Sequence, residues 1–273
     1  MDTPKLKAPP GACDCHMHIY EKGYAIAPTA TFQPPLAPAS EYKQIQAALG
    51  LERVNVVQPS AYGFDNTCTE KAIAEIGAGA RGIAIVPPEV SDAELERLDQ
   101  AGFRGVRYFM LPGGPLKWDS LERTAARIAP LGWHINLQLD GRELPQRIDM
   151  LRRLPGNLVI DHNGKFLEPV ATSDPAFKLL LGLLDTGKCW VKLAAPYETS
   201  KTGAPHYADV GALARAMVKA APDQCLWASN WPHPNQIPRP SSAAMLDLLL
   251  EWADDDATRK KILVDNPAKV YGY

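Results

Sequence analysis

Two short segments near opposite ends of the chain carry residue types suited to proton transfer or metal binding. His16-Met17-His18 closes a β-like run near the N-terminus, and Ser229-Asn230-Trp231-Pro232-His233 closes the last such run. In a metal-assisted hydrolase of this layout an aspartate would be expected at position 230, where it could bind a cation and take a proton from water. The carboxamide of Asn230 has no useful basicity near pH 7. The two segments therefore raise the question of which reaction remains possible without that base.

Other polar side chains lie at the ends of predicted strands, where a parallel barrel places its reactive groups. Besides the histidines His16, His18 and His162, the candidates are Gln58, Ser60, Arg107, Gln138, Lys165, Tyr197, Asn230, His233 and Asn235. Residues two apart on a strand point to the same side, so both histidines of the first segment can face the barrel interior. Arg107 has apolar neighbours, where an unpaired guanidinium would be costly. It needs either an internal Asp or Glu or a substrate carboxylate.

The elements that position these residues follow from the alternation of short β-branched runs with amphipathic segments. Strands are predicted over residues 12–18, 53–58, 82–86, 105–109, 134–139, 158–161, 189–193 and 225–228. Helix starts include Ser40, Ser91 with Glu94 as a capping box, and Asp174 before Pro175. Eight such units predict a single-domain (β/α)₈ TIM barrel over residues 1–273. An open doubly wound sheet is disfavoured because no Gly-x-Gly-x-x-Gly opens a helix.

Two segments interrupt this alternation. Residues 21–39 are rich in proline, and residues 198–207 also lack a regular pattern. Both follow predicted strands on the C-terminal side of the barrel, so we expect them to be loops over a pocket.

Composition excludes several functional classes. The 273 residues are 46% hydrophobic with a net charge of -2, so the chain can bury a large core but has no basic field for nucleic acid. No apolar stretch is long enough to suggest a membrane span or a signal peptide. Five cysteines at irregular spacing are expected to be buried thiols. We expect a cytoplasmic protein with a small-molecule partner and no nucleic acid or membrane partner; the oligomeric state stays open.

The motifs at residues 11–18, 159–166, 227–235 and 264–267 together resemble the amidohydrolase superfamily, over nearly the whole chain. Within it, the resemblance is to a branch that acts on dicarboxylate lactones. It implies isomerisation of an aldaric acid lactone, D-galactaro-1,5-lactone to the 1,4-lactone, by internal ester exchange. Asn230 favours this reaction. A histidine at position 16, however, is what the lactone hydrolases of the branch have at the corresponding position. Lactone hydrolysis is therefore the alternative, and a barrel that binds without catalysis is a third.

The resemblance also implies the roles of the candidate residues. The catalytic set is His16, His18, His162 and Asn230, with Asn230 stabilising the oxyanion or positioning a substrate hydroxyl. The substrate-binding set is Arg107, Gln58, Ser60, Gln138, Lys165, Tyr197, His233 and Asn235. No metal or other cofactor is implied. A single zinc ion on His16, His18 and His162 is the alternative, since three histidines can form a catalytic zinc site.

Overall fold

Eight strands alternate with helices in a computed structural model, which describes residues 2–273. The strands are β1 Cys13–Met17, β2 Arg53–Val57, β3 Ala80–Ala84, β4 Phe103–Phe109, β5 His134–Gln138, β6 Asn157–Ile160, β7 Cys189–Leu193 and β8 Cys225–Trp227. All eight predicted strands are present, although β3 and β4 each begin two residues earlier than predicted. The (β/α)₈ barrel prediction is confirmed.

The strands form one parallel sheet in the order β1 to β8. Backbone hydrogen bonds just beyond β8 join the last strand to the first: Asn230 N–H donates to His16 O at 2.9 Å, and His18 N–H donates to Trp231 O at 2.8 Å. Buried Asp14 supports this junction by accepting hydrogen bonds from the backbone N–H and the hydroxyl of Ser229, at 2.9 and 2.5 Å. The closure of the barrel therefore sets Asn230 against His16.

The helices are α1 Ala39–Leu49, α2 Thr67–Ile76, α3 Asp92–Gln100, α4 Leu121–Ile128, α5 Leu144–Arg153, α6 Pro175–Leu184, α7 Ala208–Ala220, α8 Ser242–Asp247, α9 Leu249–Trp252, α10 Asp256–Lys260 and α11 Asn266–Tyr271. Ser91 and Asp174 cap α3 and α6 through their side chains. Ser40 was predicted to precede a helix that begins at Glu41; this is wrong, because α1 begins two residues earlier, at Ala39, with Pro38 as its N-cap. Pro38 has an extended backbone, and no side-chain hydrogen bond caps α1.

Buried side chains form two layers, one on each face of the sheet. The larger layer packs the outer strand faces against the helices, and a smaller one fills the barrel interior around Cys13, Cys15, Trp190 and Leu226. All five cysteines are buried and unpaired. None of the helices in residues 2–273 combines the length and the apolar character needed to cross a bilayer.

The proline-rich segment after β1 packs on neighbouring loops at the carboxyl ends of the strands. Its Ala27 N–H donates to Ala61 O at 2.8 Å, and its Glu21 N–H donates to the Tyr62 hydroxyl at 3.1 Å, both in the loop after β2. Within residues 21–38 the backbone forms no helix and only the single bridge between Tyr20 and Ala37. This segment therefore lies at the end of the barrel where β1 and β2 present their last residues.

Candidate active site

The loops after β6, β7 and β8 adopt a backbone conformation that ordinary residues avoid. All eight non-glycine residues with positive φ in the described chain lie there: His162, Asn163, Lys165, Ala195, Tyr207, Asn230, His233 and Asn235. Each such residue costs of order 1–3 kcal/mol and persists only where the surroundings impose it, typically at functional sites. Five of them are polar residues predicted for the site, so the strain coincides with the expected chemistry.

A fully paired polar cluster occupies the barrel centre below these loops. Lys192 Nζ lies 3.1 Å from both His16 Nδ1 and Asp161 Oδ1, and it also donates to Asn136 Oδ1. The Asn136 amide donates to Asp161 Oδ2 at 2.9 Å. All four side chains are completely buried. Burial alone would raise the pKa of Asp161, but Lys192 and His16 hold that pKa well below its ordinary value.

The hydrogen bonds of His16 and His18 define where their protons lie. His18 Nδ1 is 2.8 Å from Val57 O, which can only accept, so His18 carries its proton on Nδ1 and leaves Nε2 as an acceptor. His16 Nε2 lies 3.1 Å from His18 Nε2, so His16 is the donor in this pair. Burial lowers the pKa of both rings well below the ordinary value, so both are neutral at pH 7. His16 Nδ1 is therefore an acceptor for the Lys192 ammonium, which also contacts Asp161 Oδ1, the carboxylate oxygen 3.2 Å from this nitrogen.

Arg107 is buried, and no acidic side chain of residues 2–273 forms an ion pair with it. Its guanidinium donates to Gln58 O at 3.0 Å and to Gln138 Oε1 at 3.2 Å, and its Nε finds no acceptor within residues 2–273. A guanidinium has five N–H donors, so three stay available here. The sequence left an internal acid and a substrate carboxylate as alternatives, and the described chain supplies no acid in hydrogen-bonding contact with this side chain.

The ring of His162 forms no hydrogen bond with any of residues 2–273. Its Nδ1 is buried without a hydrogen bond in the described part of the chain, and its ring centroid lies 4.8 Å from that of His16. Burial lowers the pKa of His162 to about 3, so the ring is neutral near pH 7. A neutral imidazole with free nitrogens can donate to one substrate atom and accept from another.

Asn230 is held by its amide group. Its Nδ2 donates to the Tyr197 hydroxyl at 3.0 Å and to Glu198 Oε1 at 3.2 Å, which uses both amide hydrogens. His233 lies behind Tyr197, with Nδ1 2.9 Å from that hydroxyl and Nε2 2.9 Å from Ser242 Oγ. The amide of Asn230 is thus engaged with protein, and its Oδ1 is the atom left for a ligand.

Glu198 brings a carboxylate to the side of Asn230. Its side chain is ion-paired with Lys165 and is 19% exposed. Burial would raise the pKa of Glu198, but Lys165, His162 and Asn230 together hold it below its ordinary value. The carboxylate is therefore ionised and is stabilised by its contacts with Lys165 and Asn230, which make it a weak base.

The structure brings together most of the predicted residues and leaves three apart from the buried cluster. Gln58 uses its side chain internally, donating to Gly63 O and Asp65 O and accepting from Thr69, so only its backbone carbonyl serves the site, through Arg107. The Ser60 hydroxyl makes no hydrogen bond within residues 2–273, and Asn235 is exposed beyond the turn that follows β8. In place of these, the sequence analysis missed Asp161, Lys192, Asn136 and Glu198 as members of the site. Lys192 near the end of β7 and Asp161 just after β6 were visible as polar residues at strand ends, whereas Asn136 lies in the middle of β5 and Glu198 lies five residues beyond β7.

A metal ion does not fit between His16 Nδ1 and Asp161 Oδ1 as these donors stand. The described residues that could offer three ligand atoms within 4.8 Å of one another are His16, Asp161 and His162. This set has Asp161 where His18 was expected; His18 contacts Val57 O through Nδ1 and His16 through Nε2. A zinc ion bound to His16 Nδ1 and Asp161 Oδ1 would lie about 2.1 Å from each, where the Lys192 ammonium already contacts both atoms.

Comparison with known proteins agrees with the fold. The amidohydrolase family model matches residues 13–273. D-galactarolactone isomerase from Agrobacterium fabrum is 34% identical over 275 residues, which cover 98% of this chain and 94% of that protein. The 2-pyrone-4,6-dicarboxylate hydrolase of Comamonas testosteroni is 34% identical over 281 residues, covering 98% and 92%. An apo crystal structure from Agrobacterium tumefaciens superposes with a TM-score of 0.94 at 34% identity, covering 99% of both chains. The chain therefore belongs to the amidohydrolase family.

Proposed function

We propose that this protein isomerises an aldaric acid lactone, converting D-galactaro-1,5-lactone to the 1,4-lactone by internal ester exchange. The observation that carries the proposal is the buried Arg107 guanidinium, which has three unused donors and no carboxylate of the described chain in contact with it. A dicarboxylic acid that has closed one carboxyl group into a lactone keeps the other free, and a bidentate contact would satisfy the guanidinium. The names of the two relatives, a galactarolactone isomerase and a dicarboxylate hydrolase, support this substrate class.

In the proposed reaction the substrate supplies its own nucleophile. The C4 hydroxyl attacks C1, a tetrahedral oxyanion forms, the bond from C1 to the ring oxygen breaks, and that oxygen takes the proton that the C4 hydroxyl lost. Holding nucleophile and carbonyl in one molecule removes the entropy cost of bringing in water. The protein has to orient the hydroxyl, stabilise the oxyanion and move one proton.

We assign these tasks from the free atoms of the site. His162 would donate to the carbonyl oxygen as it becomes the oxyanion. His18 would give up the hydrogen bond that its Nε2 accepts from His16, take the hydroxyl proton on that nitrogen and return it to the leaving oxygen. Asn230 would orient the hydroxyl through Oδ1; this revises the expected oxyanion contact, because both amide hydrogens are held by Tyr197 and Glu198.

Lactone hydrolysis is the second candidate, because Glu198 places a carboxylate at the site although position 230 does not. Glu198 could activate water only after weakening its contacts with Lys165 and Asn230. We rank this reaction second for that reason. Gln138, Lys165, Tyr197 and His233 position the groups that touch substrate in either reaction.

One experiment separates the two reactions. Purified protein is incubated with D-galactaro-1,5-lactone and followed by NMR, with buffer alone as the control. Appearance of the 1,4-lactone before galactarate supports isomerisation, and direct formation of galactarate supports hydrolysis. No acceleration of either reaction contradicts both candidates.

The variant Asn230→Asp tests the role of position 230 in the same assay. A carboxylate at this position could take a proton from water, so we expect galactarate to form faster than with the wild-type protein. Asn230→Ala is the matched control, which removes the amide without adding a base. A faster isomerisation with no added hydrolysis in Asn230→Asp would mean that Asn230 has another role.

A further inference from the structure

We infer that the Lys192 ammonium holds the place of a divalent cation in this barrel, so that the protein carries its own cation between His16, Asp161 and Asn136. The ammonium is 3.1 Å from both His16 Nδ1 and Asp161 Oδ1, and it donates to Asn136 Oδ1. An imidazole nitrogen, a carboxylate oxygen and an amide oxygen are groups that bind divalent ions in proteins. Here all three face one lysine nitrogen, and every side chain involved is completely buried.

The charges at this position match a monovalent cation. Asp161 is the one carboxylate that contacts the Lys192 ammonium in residues 2–273, and His16 is neutral in the hydrogen-bond arrangement derived above. One ammonium and one carboxylate leave no net charge in the buried centre. A divalent ion with the same donors would carry one more positive charge than the ammonium, so these donors favour the ammonium while Lys192 is present.

The ammonium also determines the proton positions of the histidine pair. A lysine ammonium can only donate, so it requires an acceptor on His16 Nδ1. His16 then carries its proton on Nε2 and donates to His18, whose Nε2 becomes the acceptor facing the site. Lys192 is therefore a positioning residue that acts on the site through His16.

The test is zinc binding by the variant Lys192→Ala, with metal content as the readout rather than turnover. Wild-type and variant proteins are freed of metal with a chelator, titrated with Zn²⁺ and analysed by mass spectrometry of the bound metal. Removing the ammonium vacates the space between His16 Nδ1, Asp161 Oδ1 and Asn136 Oδ1, so we expect about one zinc ion per variant chain. Wild type should bind none at the same concentrations. Lys188→Ala, which removes an exposed lysine just before β7, is the matched control and should behave as wild type.

Each possible result either supports or contradicts the inference. The double variant Lys192→Ala with His16→Ala should lose the zinc ion, which places it at this position. Zinc binding by the wild type at His16, or a folded Lys192→Ala that takes up no zinc, overturns the inference. If Lys192→Ala is unfolded without metal, zinc added during refolding should restore it; failure of zinc to do so also counts against the inference.

A second measurement uses the unaltered protein. Nitrogen-15 NMR of the histidine rings distinguishes the two neutral forms, and we expect the proton on Nε2 of His16 and on Nδ1 of His18. A His16 proton on Nδ1 would show that the ammonium does not donate to this ring and would contradict the inference. Because neither readout involves substrate, these results are independent of the proposed lactone reaction.

Discussion

Two polar regions lie close together in the barrel, and they differ in whether their hydrogen bonds are complete. Around Lys192, the donors and acceptors of Asp161, Asn136 and His16 all find partners within the protein. Around Arg107 and His162, buried nitrogens stay without a protein acceptor or donor in the described residues. A buried polar group without a partner costs about 1–3 kcal/mol. The first region is thus built to hold the barrel and the histidine pair, and the second is built to be completed by a ligand.

The largest expected effect is on stability, in the paired region. Lys192→Met keeps the length of the side chain but leaves Asp161 as an uncompensated buried charge, since the pair is completely inaccessible to solvent. We expect the free energy of unfolding to fall by about 3–5 kcal/mol, measured by urea denaturation. Lys188→Met, at an exposed position, should change it by less than about 0.5 kcal/mol. A loss below about 1 kcal/mol in Lys192→Met would mean that the paired region does not hold the barrel.

The unpaired region should give the opposite pattern, with activity lost and stability kept. Arg107→Met removes a guanidinium whose remaining donors await a substrate carboxylate. We expect kcat/KM for the lactone to fall about 10²- to 10³-fold, the equivalent of about 3–4 kcal/mol. The free energy of unfolding should change by no more than about 1 kcal/mol.

A substrate without the second carboxylate provides the control for Arg107. On a sugar lactone that has no carboxylate, wild type and Arg107→Met should react at nearly equal rates, because the guanidinium then has nothing to bind. An equal loss of kcat/KM on both substrates would mean that Arg107 maintains the structure of the site and does not bind the carboxylate.

The difference between the two regions also explains what could be predicted from the sequence. Strand positions were predictable because β-branched runs repeat along the chain, and Arg107 was recognisable because one guanidinium among apolar neighbours needs an anion. The partnership of Lys192 with Asp161 was not, since it joins β7 to the residue after β6 and depends on the register of the two strands. Glu198 ends a single 3₁₀ turn after β7, which is too short for a periodic pattern to indicate where its side chain points. Contacts between polar side chains on different strands depend on the tertiary structure. These contacts distinguish the structural polar residues from those that are free to bind a ligand.

An unpaired buried nitrogen does not by itself indicate a binding site, and His134 tests this point. It begins β5 at the opposite end of the barrel, its ring lies 5.2 Å from that of Tyr271, and neither nitrogen has a hydrogen bond within the described chain. Burial lowers the pKa of His134 to about 3. As the pH falls below about 6.5, the unfolded chain takes up a proton that the folded chain does not, so this residue lowers stability by about 1.4 kcal/mol per pH unit.

The variant His134→Leu removes that proton uptake. We expect its stability relative to wild type to be about 2 kcal/mol more favourable at pH 5 than at pH 7, measured by urea denaturation at both values. Its kcat/KM at pH 7 should stay within about twofold of wild type, since a twofold change is under about 0.5 kcal/mol. Loss of lactone turnover in this variant would extend the functional region to the amino-terminal end of the barrel.

The smallest effect is expected at Asn235, and comparison with Asn230 shows why. Both asparagines have a positive φ, 62° and 56°, so glycine can replace either without backbone strain. Asn230 is buried and bound to Tyr197 and Glu198, whereas Asn235 is exposed. Asn235→Gly should therefore leave kcat/KM within about twofold of wild type, while Asn230→Gly should lower it at least about tenfold, the equivalent of about 1.4 kcal/mol. Equal losses would mean that the loop after β8 closes over the substrate and brings Asn235 into contact with it, so that the second region is larger than the buried atoms indicate.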